Sequence, residues 1–488
     1  MSVITIEPVS RLEGHAKISI FLDDKGNVEE AFFQIVEFRG FEEFCKGRPV
    51  EELPRITTRL CGVCPWAHHM ASGKTLDDLY GVEVPSAGKK LRELGYCAHM
   101  IESHLEHIYV LAFAPDFVVG PRENKALRNI LGVIEKAGLD VGKAFIKARA
   151  NAVKIEDILG GKSAHPVQNL PGGVSKKPTP EEREEIEKMS KEIIDFAEFT
   201  FNLAMDTIEK NKELKEIVED KDLYYLETYY IGLVDEEDKV NFYDGKVKVI
   251  YPDGEEYCKF TEHEYLDYIA EHVEPWSYLK FPYLRKVGWK GLKDGRDSGL
   301  MSAAPLGRLN VATGMATPKA QEAYERFYDK FPKPCHNVLA FHLARAIETI
   351  YAAERAYELS KDPEIVEGKA REIPDPSKYK GEGVGIVEAP RGTLIHHYVA
   401  DENGIAQKVN LIVATAFNYG SMCMAIRKVA KKLIKNGKAD DGILNMVEMA
   451  FRAYDPCLAC ATHSLPGKMP LVIEIYDDKK ELIEVIRR

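Results

Sequence analysis

The chain has 488 residues, 45% of them hydrophobic, and a net charge of −12. That length and apolar share supply a large core, and the acidic balance argues against a phosphate-backbone partner, so no nucleic acid is expected. No apolar run reaches the length of a membrane span, and the opening "MSVITIEPVSRLEGH" lacks the basic and apolar stretches of a secretion signal; the expected location is the cytoplasm, where thiols stay reduced.

The first forty residues read as β structure. "VITIEPV", "AKISIFLDD" and "VEEAFFQIVEF" alternate apolar with polar residues, and "DDKGN" is the turn between the last two. After "CGVC" the pattern becomes helical. A long helix is predicted over 179–210, with Thr179 as N-cap, Pro180 in the first position and Glu182 completing a capping box. Residues 222–262 form a β excursion whose two Asp-Gly pairs are turn signals. "NVLAFHLARAIETIYAAERAYEL" is a second long helix, "GTLIHHYVADENGIAQKVNLIV" a further β stretch, and "DDGILNMVEMAFRAY" a last helix that leads into "DPCLACATH". The tail beyond it, 464–488, has a strand-like "PLVIEIY" and a charged, helix-like finish. The fold class is mainly α with β decoration (α+β): a large helical-bundle core, an N-terminal sheet and peripheral β segments.

Nine cysteines are present, and four fall in two CxxC pairs, Cys61 with Cys64 and Cys457 with Cys460. The gap from Cys64 to Cys457 is 393 residues (457 − 64). Zinc modules normally place two such pairs about 15–20 residues apart, because the metal folds a small unit. Zinc, a single iron in four thiolates and two independent redox pairs all stay open on the spacing alone. Neither pair sits at a strand-to-helix turn of a short βαβ unit, which weakens a thioredoxin-like reading. The remaining possibility is a soft-metal catalytic site closed by both ends of the fold, since thiolates suit nickel and iron. An iron–sulfur relay needs about four further cysteines per cluster. The five others (Cys45, Cys97, Cys258, Cys335 and Cys423) are scattered, so a redox site here calls for a second subunit that carries the clusters.

"RLEGH", "RGFE", "RLCGVCPWAHH", "EAPRG" and "DPCLACATH" occur in the order found in large subunits of nickel–iron hydrogenases, and the resemblance runs over nearly the whole chain. "EFRGFEEFCKGRP", "DYIAEHVEPWSYLKFPY" and "PLGRLNVA" resemble the cytoplasmic archaeal type that supplies heterodisulfide reductase without a deazaflavin. The resemblance implies one domain over 1–463. It implies that Cys61 and Cys457 bind nickel terminally, while Cys64 and Cys460 bridge nickel to an iron that carries carbon monoxide and cyanide. H2 would be split heterolytically, with the Cys457 thiolate or a carboxylate relay taking the proton.

The same resemblance assigns further residues. Glu13 matches the proton-relay glutamate. Pro390 and Arg391 match the residues that cap the open nickel side and hold one cyanide, and Thr415 matches the other cyanide donor. Glu42, the Leu411 carbonyl and His463 match a buried site for magnesium or a similar divalent cation. His68 would lie beside Cys64, and Asp455 would steady Arg391. Ser103 stands where many members carry an aspartate, so the canopy over the metals should be less charged. His104, His107 and His165 have no readable role. The implied partners are an iron–sulfur small subunit, a further electron-transfer subunit with heterodisulfide reductase, and an endopeptidase that removes 464–488 after His463. A retained tail is expected to hold Cys457 and Cys460 away from the first pair. Two alternatives stay open: a cytoplasmic hydrogenase linked to sulfur, deazaflavin or nicotinamide, and a silent structural homologue without metals.

Overall fold

The computed structural model describes residues 2–463, 472–476 and 482–487. Four long helices, Ser86–Glu106, Leu139–Gly160, Pro180–Lys210 and Phe341–Lys361, pack side by side as the central bundle. The Pro180–Lys210 helix starts as its sequence dictates. Thr179 accepts from the Glu182 N–H and Glu182 returns to the Thr179 N–H, with Pro180 first in the helix. Its buried residues Ile186, Met189, Ile193, Ala197, Phe201, Ala204 and Ile208 recur every three or four positions, the one-sided stripe of a helix that packs on a neighbour. Phe341–Lys361 is buried on nearly all sides, as the middle member of a bundle must be.

The N-terminal sheet is an antiparallel meander of Ser2–Ile6, Ala16–Leu22 and Val28–Ile35. Its last strand lies on the Ala414–Leu433 helix, with Phe33 stacked on Phe451 at 5.0 Å. The β excursion forms strands Tyr229–Val234, Lys246–Ile250 and Glu256–Phe260. A third sheet, Glu382–Ala389, Gly392–Ala400 and Ala406–Ile412, crosses the Pro65–Leu79 helix and carries "EAPRG" at its first turn.

Trp66 positions the first cysteine pair. It follows Cys64 by two residues, is fully buried, and donates its indole N–H to the Ser163 carbonyl at 2.9 Å. Its ring lies against Gly95 of one bundle helix and Gly160 of another, where an added Cβ would come within 2.6 and 2.5 Å of it. Only glycine leaves room there. Burying an indole of this size contributes about 4–6 kcal/mol, which anchors the cysteine-bearing turn to the bundle.

Two expectations about the tail need correction. Its end is not helical: Leu482–Arg487 is a strand paired antiparallel with Val472–Tyr476. Ile483, Val485 and Ile486 are β-branched, and that preference outweighs the charged flanks. Nor does the attached tail separate the two cysteine pairs, which meet in the chain that carries it. Residues 464–471, 477–481 and 488 lie outside the described residues, so the expected cut after His463 falls at their edge.

Candidate metal centre

Cys61 sits in extended backbone after the turn Thr57–Leu60, and Cys64 caps the N-terminus of the Pro65–Leu79 helix. Cys457 caps the short helix Leu458–Ala461, which contains Cys460. The two knuckles bring all four sulfurs together within 4.8 Å of one another. Sγ–Sγ distances are 3.0 Å for Cys61–Cys457, 3.2 Å for Cys64–Cys460, 3.9 Å for Cys64–Cys457 and 2.8 Å for Cys457–Cys460. All four are free cysteines and buried. Burial opposes ionisation of Cys61, but hydrogen bonds from the other three thiols and the Arg391 charge bring it well below its ordinary value. Burial pushes Cys457 and Cys460 well up. One thiolate forms readily and the others need a cation to form beside it. This donor set fits a soft metal.

The N-terminal motifs close on the C-terminal one. Glu13 and Cys457 form a parallel β-bridge, and the Leu458 N–H donates to the Glu13 carbonyl at 3.0 Å. The Cys457 thiol donates to Glu13 Oε2 at 3.0 Å, and the Ala459 N–H meets the same oxygen at 3.1 Å. Burial, then the Cys61 thiolate, raises the Glu13 carboxyl to about 7. Gly14 has φ +92°, and a Cβ there would lie 2.8 Å from the Ala459 nitrogen. "RLEGH" therefore needs its glycine for the left-handed turn and for the close approach. In "RGFE", the Arg39 N–H donates to the Thr462 carbonyl and the Glu42 N–H to the His463 carbonyl, at 2.9 and 3.0 Å. The Arg39 guanidinium holds the Leu60 carbonyl at 3.0 Å, next to Cys61.

Arg391 donates to Asp455 Oδ1 at 3.0 Å and to Ser103 Oγ at 3.3 Å. Burial alone would lower its guanidinium, but Asp455 and the thiolates hold it well above its ordinary value. Removing one partner of such a buried pair costs about 3–5 kcal/mol. The ion pair here comes from Asp455, with Ser103 as a neutral second acceptor. Thr415 Oγ1 accepts the Cys457 N–H at 3.0 Å, which leaves the hydroxyl proton to donate elsewhere. The Pro390 carbonyl accepts from Arg308 at 3.4 Å. Arg391, Thr415, His68, Ala389, Leu394 and Val413 line a narrow space of about 10 Å3 beside Cys64, Cys457 and Cys460.

His68 Nδ1 lies 3.1 Å from His396 Nε2, and His396 Nδ1 lies 2.6 Å from the Tyr398 hydroxyl. His68 Nε2 has no partner among the described residues, and its residue lines the space beside the sulfurs. Burial lowers His68 to about 4, so the ring is neutral. Glu42 Oε1 lies 3.1 Å from His463 Nδ1 and accepts the Leu411 N–H at 2.8 Å. What Leu411 offers Glu42 is its N–H. His104 pairs with Glu348 at 3.1 Å, His107 donates to the Arg452 carbonyl at 2.8 Å, and His165 meets the Thr58 carbonyl at 3.0 Å. His396, Tyr398 and Glu348 lie outside the motifs, and the buried ion pairs of Arg308 with Glu348 and Glu388 give Arg308 of "PLGRLNVA" and Glu388 of "EAPRG" a place that the motifs alone do not state. The alternation of "TLIHHY" is the signal that could have found His396, because it turns that residue inward and leaves His397 more exposed.

A model of the family described as nickel-dependent hydrogenase matches residues 39–124 and 181–463, and one described as HoxL-like matches 3–38. The chain is 50% identical, over the full length of both, to an iron-sulfur subunit of the F420-non-reducing hydrogenase of Archaeoglobus profundus. It is 42% identical, again over the whole of both, to a subunit of the F420-non-reducing hydrogenase of Methanothermobacter marburgensis. A solved NAD+-reducing [NiFe]-hydrogenase in the H2-reduced state superposes with a TM-score of 0.88 at 34% identity, covering 95% of this chain and 100% of that one. Cys460→Ser replaces a soft donor with a hard one. The variant is expected to lose nickel and iron together, and metal analysis that finds stoichiometric zinc and no nickel in the active wild type would overturn the assignment.

Proposed function

This chain belongs to the nickel-dependent hydrogenase family and is an oxidoreductase that acts on H2 at a nickel–iron centre; from the arrangement around its four cysteines, we propose which residues do what. Cys61, Cys64, Cys457 and Cys460 would hold the metals, Cys61 and Cys457 as donors to nickel and Cys64 and Cys460 as donors shared with iron. When bound, the pair of metals supplies heterolytic cleavage of H2. The observation that carries the reading is the 3.0 Å contact between Cys457 Sγ and Glu13 Oε2, with that carboxyl poised at about 7. A group whose affinity for a proton matches the working pH both accepts and releases it well. The proton passes from Cys457 to Glu13 and leaves along the N-terminal side.

Arg391 and Thr415 line the narrow space with donors to spare, while Ala389, Leu394 and Val413 give it apolar walls. Such a lining suits small diatomic ligands with an accepting end, and we assign carbon monoxide and cyanide on the iron to it. Pro390 and Arg391 would cap the metals' open side, Asp455 and Ser103 hold Arg391, and His68 lines the same space beside the sulfurs. Glu42 and His463 hold magnesium or a similar divalent cation, with the Leu411 carbonyl as a further donor.

Electrons leave through an iron–sulfur small subunit. The five other cysteines support this, since no grouping of three or more metal-binding side chains among the described residues includes any of them. The likeness to F420-non-reducing hydrogenase subunits supports a cytoplasmic complex that delivers electrons onward to heterodisulfide reductase. No described helix is long and apolar enough to cross a membrane. The matched family segment stops at His463, which supports a single domain over 1–463 and removal of 464–488 by an endopeptidase.

Glu13→Gln keeps the shape and the Ala459 contact but cannot carry a proton. It is expected to retain nickel and iron while exchange between H2 and water protons falls about 100-fold or more; exchange at the native rate would make Glu13 structural. In the wild type, the ionised form that accepts a proton prevails above the raised value. H2 oxidation should therefore rise with pH through about 7 and hydrogen evolution should fall, a dependence measured by following both directions across that range. Intact-mass analysis of fractions sorted by activity should find active chains ending at His463. Full turnover from chains that keep Arg488 would show that the tail belongs to the working protein. Infrared bands of metal-bound carbon monoxide and cyanide are expected in the anaerobically purified enzyme.

A further inference from the structure

Away from the four cysteines, one imidazole and two carboxyls meet inside the bundle. His99 and Glu102 are three residues apart on the Ser86–Glu106 helix and share a face, and Glu156 reaches them from the Leu139–Gly160 helix packed against it. One donor atom from each lies within 4.8 Å of the other two. His99 is 1% exposed and Glu156 2%. His99 Nδ1 and Glu156 Oε1 stand 3.3 Å apart, yet among the described residues that oxygen has no hydrogen-bond partner, and neither has His99 Nε2. A buried carboxylate oxygen left without a partner is costly and calls for a cation or a donor.

The charges agree. Burial pushes the Glu156 carboxyl well up and raises Glu102 to about 7. Burial lowers His99 to about 3, so its ring is neutral and has a lone pair to give. Arg149 meets Glu102 at 2.5 Å and Glu106 at 3.4 Å. Two carboxylates thus share one guanidinium, Glu156 stands beside them as a third, and with all three ionised a dication would complete the balance. A carboxylate and an imidazole three residues apart on one helix, facing a carboxylate on a neighbouring helix, are the pattern by which helical bundles hold metal in their cores.

We propose that His99, Glu102 and Glu156 form a second metal site, which holds one divalent ion of the manganese, iron or zinc class through an imidazole nitrogen and two carboxylates. The ion fastens the Leu139–Gly160 helix to the helix whose next turn carries Ser103, the acceptor of Arg391. The site does not depend on the chemistry at the cysteines.

Mn2+ is the probe, because it prefers oxygen and imidazole donors to thiolates. Anaerobically purified protein, loaded with nickel and iron and dialysed against chelator, is titrated with Mn2+ while free ion is followed by electron paramagnetic resonance. Wild type should bind one Mn2+ per chain that His99→Ala abolishes and that Glu156→Gln weakens by about tenfold or more, with nickel and iron content unchanged. Glu42→Gln, aimed at the cation beside His463, should leave this ion in place. Equal Mn2+ binding by wild type and both variants would overturn the proposal. If either variant fails to load nickel, anomalous scattering from Mn2+-soaked wild-type crystals decides: a peak among the three side chains supports the site, and no peak there overturns it.

Discussion

Four sulfurs gathered inside the protein set a charge problem that fixes most of what surrounds them. In a low-dielectric interior neighbouring thiolates repel strongly, so few can form unless positive charge is built in. The protein supplies part of that charge. Cys61 Sγ accepts the N–H groups of Val63 and Cys64 at 3.1 and 3.3 Å. Cys64 stands at the positive end of a helix. Arg391 faces the group from the other side and cannot relax away, because Asp455 and Ser103 hold it. A metal cation completes the balance, which is why the donor set is metal-binding on its own chemistry.

Rigid packing and mobile protons are kept to different residues. Trp66 and its two glycines pin the first knuckle to the bundle, and the "RGFE" backbone pins the second. Neither contact changes charge. Glu13 meets the centre through a backbone bridge that fixes its position and a carboxyl that is free to titrate. The row His68, His396 and Tyr398 fixes the orientation of a neutral ring without adding charge to a crowded site.

Local chemistry makes part of this legible in the sequence. Thr179, Pro180 and Glu182 announce a helix start within four residues, and the N-terminal alternation announces a meander, since both signals are local. The cysteine pairs can be joined only because so few chemistries need four thiols that far apart in sequence. What stays hidden is long-range. His396 belongs to the centre through a strand that crosses the Pro65–Leu79 helix, and no local pattern states that crossing. His99, Glu102 and Glu156 look like solvated charges on two helices until the helices pack. The end of the tail looks helical from its charged flanks, and the β-branched residues between them outweigh that signal. The expected separation of the knuckles by the tail is not seen in the chain that carries it, where N–H groups of Arg39 and Glu42 hold the Thr462 and His463 carbonyls.

The bridge between Glu13 and Cys457 carries a consequence for biosynthesis. A ribosome releases the chain from its beginning at about 5–20 residues per second, and Cys64 and Cys457 are 393 residues apart. The first knuckle therefore waits on the order of 20–80 seconds for the second. During translation Glu13 and Cys61 have no partners, and a stray ion could be caught by half a site. Any chain truncated before Cys457 lacks the centre altogether. Loading of the metals is by construction a late event, open only to chains that have been translated to their last few dozen residues.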